Sequence, residues 1–83
     1  MSVFTQAERD ELGTRWTGFA TLVAARTPRP QAATRDEWRA AALMGLAKAI
    51  LQWRPRPGEP TPPVSSGVFS TFFEMAIRGE LAR

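Results

Sequence analysis

Three stretches of the chain carry apolar residues at helical spacing, and each is bounded by residues that start or stop a helix. Thr5 followed by Glu8 has the spacing of a capping box, in which the hydroxyl accepts from a first-turn amide and the carboxylate accepts from the cap amide. Leu12, Trp16, Phe19, Ala20 and Val23 then fall on one helical stripe. This predicts a first helix ending near Ala25 or Arg26, because Pro28 and Pro30 forbid its continuation.

Thr34 and Glu37 repeat the capping box, and no proline interrupts the chain from Asp36 to Trp53. In this second helix Trp38, Ala42, Leu43, Leu46, Ala49, Ile50 and Trp53 are apolar. They cover more than one narrow stripe, so the helix is expected to pack against two neighbours. The segment RPRPGEPTPP, from Arg54 to Pro63, holds five of the seven prolines and predicts an extended surface connection. Phe69, Phe72, Phe73, Ala76, Ile77 and Leu81 then recur at helical spacing. Ser70 or Thr71 is the expected cap, with Thr71 and Glu74 as a third capping box.

The expected fold is therefore all-α: one small three-helix domain over residues 1–83, with a Pro-rich loop at 54–68 between the second and third helices. Its expected core is Trp16, Phe19, Leu46, Ile50, Trp53, Phe69, Phe73 and Ile77. Of the three phenylalanines, Phe69 and Phe73 are expected inside and Phe72 nearer the surface. With 83 residues there is room for one modest core.

Composition narrows the chemistry. Cysteine and histidine are both absent, which removes a disulfide framework, a Cys/His metal site and an imidazole general base. Glu37, Glu59, Glu74 and Glu80 form no evident pair with a nucleophile, and no phosphate-cradling glycine loop occurs. Neither an enzyme nor a bound cofactor is expected. The start of the chain lacks the pattern of a secretory signal and no stretch has the apolar length of a membrane span, so a cytoplasmic location is expected. Ten arginines and Lys48 stand against eight carboxylates, a net charge of +3 that permits nucleic-acid contact without demanding it. Arg26, Arg29, Arg35 and Arg39 are close in sequence and form a candidate basic patch for DNA.

Two motifs point further. Helix two reads AALMGLAKAILQW, and Gly45, Leu46, Lys48, Ala49, Ile50 and Trp53 match one pattern in register. The last segment reads GVFSTFFEMAIRGELAR, and Phe69, Ser70, Thr71, Phe72, Ile77, Arg78, Gly79, Glu80 and Leu81 match a second. In this order the pair resembles region 2 of the sigma-70 family of bacterial transcription factors, over roughly residues 7 to 83. That resemblance implies a helix docked on the β′ clamp of RNA polymerase, and a following helix whose aromatics capture unstacked bases of the promoter −10 element. The chain differs from the family at Glu37 to Ala42, where a polar, acidic run is usual, and at Met75 and Ala76, where two tryptophans are frequent.

On this resemblance the DNA-binding candidates are Phe72, for stacking on a base, and Arg78, for a phosphate. The partner-binding candidates are Trp38, Arg39 and Lys48. Trp38 either anchors a partner or packs on the first helix. The expected function is that of a sigma-like transcription accessory or regulatory protein. It would bind RNA polymerase, or a partner sigma subunit carrying region 4, together with single-stranded promoter DNA. A different class is a helical interaction module that keeps the fold without the activity, with Ala40, Ala41 and Ala42 as a homo-oligomer face. Plain DNA binding without polymerase is a third.

Overall fold

The structure, a computed structural model, describes residues 2–83 and is all-α. Met1, the first residue of the expected 1–83 unit, lies outside the described residues. Helix α1 spans Gln6–Arg26, α2 spans Arg35–Gln52 and α3 spans Ser70–Leu81, with a short 3-10 turn at Gly67–Phe69 leading into α3. No helix is long and apolar enough to cross a membrane among the described residues.

The first two helices begin where their capping boxes lie. The Glu8 amide donates to Thr5 Oγ1 at 3.1 Å, and the Thr5 amide donates to Glu8 Oε1 at 2.8 Å. At α2 the Glu37 amide donates to Thr34 Oγ1 at 3.1 Å and the Thr34 amide to Glu37 Oε1 at 2.9 Å. Hydrogen bonds from the Thr34 backbone and then its side chain hold the Glu37 carboxyl below its ordinary pKa.

The third helix departs from its expected start. Neither Ser70 nor Thr71 caps it: Ser70 is already helical, and Phe69 stands at the cap position without a side-chain hydrogen bond. Ser66 does the capping instead, accepting from the Val68 amide at 3.3 Å and opening the 3-10 turn. Because that turn carries the Ser70 amide onto the Gly67 carbonyl, the amide reaching α3 already has an acceptor. Upstream, residues 53–66 form neither helix nor strand. Within them the Glu59 amide donates to the Arg56 carbonyl at 3.0 Å, closing a turn with Pro57 and Gly58 at its centre. Gly58 has φ +85°, which suits the third position of a type II turn.

Helix α2 is the central element, packing most extensively on α3 and next on α1. Its inner face is Ala42, Gly45, Leu46, Ala49 and Ile50, all buried. At Gly45 the absence of a side chain lets the α3 backbone come close. This answers the expectation of a homo-oligomer face at Ala40 to Ala42: successive residues turn by about 100°, so the three cannot share a face. Ala42 is buried in the protein's own core, Ala41 half-buried and Ala40 exposed.

The core is a continuous run of rings. Phe69 stacks on Phe73 with centroids 5.5 Å apart, and Trp16 meets Phe73 edge-on at 5.2 Å and Phe19 at 5.1 Å. At the other end Trp53 meets Phe69 at 5.0 Å. Five of the eight expected core residues, Leu46, Ile50, Phe69, Phe73 and Ile77, are buried. Trp16, Phe19 and Trp53 pack on them but are half-buried, because each ring extends from the rim of the core. One fully used core residue lies ahead of any helical pattern: Phe4 is buried, stacked on Trp53 at 5.6 Å and edge-on to Phe69 at 5.8 Å. Ser2 Oγ helps to bring it there by donating to the Ile50 carbonyl at 3.4 Å.

Candidate functional site

The two sequence motifs meet in space, at the α2–α3 junction. A Cβ built on Gly45 would lie 2.8 Å from Ile77 Cα and 3.1 Å from the Ala76 carbonyl oxygen. One turn along α2, Lys48 Nζ pairs with Glu80 Oε1 at 3.0 Å. Glu80 is largely covered, with 17% of its side chain accessible, and Lys48 is half-exposed at 43%. Lys48, a candidate for partner binding, is therefore engaged within the chain, tying α2 to the end of α3.

Trp38 is also engaged internally. Its indole Nε1 donates to the Ala24 carbonyl at 2.9 Å, and its ring packs half-buried on the core. Ala24 lies in the last turn of α1, where its carbonyl otherwise accepts only a long bond from the Thr27 amide at 3.4 Å, so Trp38 helps to satisfy the end of that helix. Arg39, one residue on, is exposed. It lines a cleft of about 690 Å³ between the end of α1 and the start of α2, shared with Trp38, Arg26, Arg29 and Arg35. Trp38 and Arg39 are thus adjacent, and Lys48 belongs to a different surface.

The DNA-binding candidates lie on α3. Phe69, Phe73 and Ile77 recur every four residues and point inward, which turns Phe72 outward. Phe72 is 39% accessible, and with Val68 and Met75 it forms an exposed apolar patch at i, i+4 and i+7. These side chains line a second cleft, about 640 Å³, against Trp53 and the proline-rich segment, with Arg54 and Arg56 at its edge. Arg54 is held there by donating to the Leu51 and Trp53 carbonyls at 3.2 and 2.8 Å. Arg78 is exposed and pairs through Nε with Glu74 Oε2 at 3.1 Å. An exposed i, i+4 pair of this kind contributes about 0.3 to 0.5 kcal/mol, so a phosphate can displace the carboxylate at little cost.

A third surface, absent from the candidates above, lies on the outward side of α2. Ala40, Met44, Ala47 and Leu51 are all exposed and fall at i, i+4, i+7 and i+11. Met44 and Leu51 are each about half accessible. Leu51 and Ala47 border a groove of about 530 Å³ whose α1 wall includes Gly13, Thr14 and Thr17. The signal was in the spacing, but α2 has apolar residues on every side, and which side is left uncovered depends on where α1 and α3 sit.

No family model, no curated protein and no solved structure matches the chain.

Proposed function

We propose that this chain is a sigma-like region 2 module: a transcription accessory or regulatory protein that binds RNA polymerase and takes an unpaired promoter base. One observation carries the reading. Residues shared with the sigma-70 pattern on α2 and α3, Gly45, Lys48, Ile77 and Glu80, contact one another, and the same packing leaves Phe72 and Arg78 on the solvent side. Phe72 offers an aromatic face for an extruded base, and Arg78, about 9 Å further along α3, offers a charge for a phosphate. The uncovered stripe Ala40, Met44, Ala47 and Leu51 is the surface for the polymerase clamp.

The test is association of the purified chain with core RNA polymerase by gel filtration at moderate salt, followed by anisotropy titration with a single-stranded −10 oligonucleotide. Co-elution with β′ supports the reading, and strand binding lost on Phe72→Ala supports its DNA half. A second reading, a helical interaction module without polymerase, draws on the same uncovered stripe. It takes precedence if the chain ignores polymerase and sediments as a self-associated species.

A further inference from the structure

We propose that the cleft between α1 and α2 binds the phosphate backbone of duplex DNA, independently of Phe72 and of the polymerase. The fold brings together four arginines that the chain spreads over fourteen positions. Arg26 is the last residue of α1, Arg29 lies between two prolines, Arg35 is the first residue of α2, and Arg39 follows one turn later. All four are exposed and line one cleft, with Asp36 as the only carboxylate among its lining residues.

The charge distribution singles this cleft out. Of eleven basic and eight acidic side chains, four arginines and Asp36 lie here, leaving seven basic and seven acidic for the rest of the molecule. The residues lining the cleft thus carry +3 between them, and with neighbouring Glu37 counted this end of the molecule still holds +2. Elsewhere four of the seven basic side chains pair with carboxylates, Arg15 with Glu11, Lys48 with Glu80, Arg78 with Glu74 and Arg83 with Glu80. Among the described residues, no ion pair involves Arg26, Arg29, Arg35 or Arg39. Glu37, close by, is turned onto the Thr34 amide in its capping box.

The cleft is also partly preorganised. Arg29 donates to the Ala33 carbonyl, and Pro28 and Pro30 restrict the connection around it. Ordering the connection on binding therefore costs less entropy than it would in a flexible loop.

The choice of duplex follows from what the cleft lacks. Its ring, Trp38, packs half-buried on the core with its N–H engaged by Ala24, so it offers less of a face to an unpaired base than the exposed Phe72 does. None of its lining residues is an exposed large apolar side chain of the kind that inserts into a lipid surface. Arginine guanidinium groups bind phosphate oxygens in a bidentate fashion and release counterions, without requiring a sequence. The Phe72 cleft adjoins Trp53 at the far end of α2, an 18-residue helix about 27 Å long. The two sites therefore lie at opposite ends of α2 and can be tested apart.

The experiment is fluorescence anisotropy of the full chain with a labelled random-sequence duplex of about 20 base pairs across a salt series. The double variant Arg35→Gln, Arg39→Gln is compared with the control Arg15→Gln, Arg83→Gln, which removes the same charge elsewhere; circular dichroism checks each fold. The proposal expects the slope of log K against log salt to fall by about 2 in the cleft variant and much less in the control. It also expects Phe72→Ala to leave duplex binding unchanged, so that failure at the Phe72 site does not count against the cleft. Equal slopes for the two double variants overturn the proposal. So does binding to phosphatidylserine-containing vesicles with no binding to the duplex.

Discussion

Gly45 and Ile77 approach so closely that a Cβ on the glycine would stand 2.8 Å from the isoleucine Cα. The obstacle is backbone, flanked by the Ala76 carbonyl and Glu80 Cβ, each at 3.1 Å. Helix propensity alone favours alanine over glycine by about 1 kcal/mol, and overpacking a core costs about 1 to 3 kcal/mol. Gly45→Ala is expected to lower stability by up to about 2 kcal/mol, since the α2–α3 spacing must open. A urea unfolding midpoint at or above that of the parent would contradict this close approach.

Phe69 is fully buried between Phe4, Trp53 and Phe73, whereas Phe72 is 39% accessible. Phe69→Ala is expected to cost about 3 to 5 kcal/mol, enough to leave a domain of this size largely unfolded. Phe72→Ala should keep a near-parental melting temperature while weakening single-strand binding by about 1 to 3 kcal/mol. Thermal melts and anisotropy on the two variants separate the roles, and equal losses of stability would reverse the assignment of Phe72 to the surface.

Met44 and Leu51 are each about half exposed on α2 and are not members of the buried core. Met44→Glu with Leu51→Glu should leave the circular dichroism spectrum intact and abolish co-elution with core polymerase. Retained co-elution would move the docking surface away from the outward stripe of α2.

Thr34 closes the capping box of α2, and its replacement by alanine is expected to cost about 1 kcal/mol. The same box lowers the Glu37 pKa through hydrogen bonds from Thr34. A carboxylate with a depressed folded-state pKa favours the fold above its unfolded pKa, and that contribution is lost as pH falls through the folded value. Acidification below the ordinary glutamate value of 4.5 should therefore destabilise the parent. In Thr34→Ala this part of the acid sensitivity is expected to shrink, which denaturation midpoints measured from neutral pH downward will read.

Lys48 and Glu80 bridge α2 and α3 at 3.0 Å, but Lys48 is 43% exposed. Lys48→Ala is expected to cost at most about 1 kcal/mol, since solvent screens the pair. A larger loss in the melting curve would show the bridge to be far more protected than its exposure implies.

Local rules determine most of the secondary structure without reference to packing. Capping-box spacings at Thr5 and Thr34 and the prolines after Arg26 and Trp53 marked the ends of α1 and α2, because those effects act within a turn of the chain. The start of α3 was harder to read, since Ser66, Ser70 and Thr71 all have capping side chains and only the 3-10 turn decides among them. The inward direction of Phe69 and Phe73 and the outward one of Phe72 also follow from periodicity. Other features belong to tertiary structure alone. Phe4 has no helical register, so nothing local indicates that it will cover Trp53 and Phe69. Sequence leaves Trp38 open between a partner and the first helix and makes Lys48 look available, and the Ala24 carbonyl and Glu80 engage them across 14 and 32 residues. Likewise the four arginines become one cleft only when the end of α1 and the start of α2 are held side by side, and α2 shows its open face only once α1 and α3 have covered the others. Sequence determines what each segment can do through contacts a few residues apart; which side chains remain for a partner is decided by contacts between distant segments.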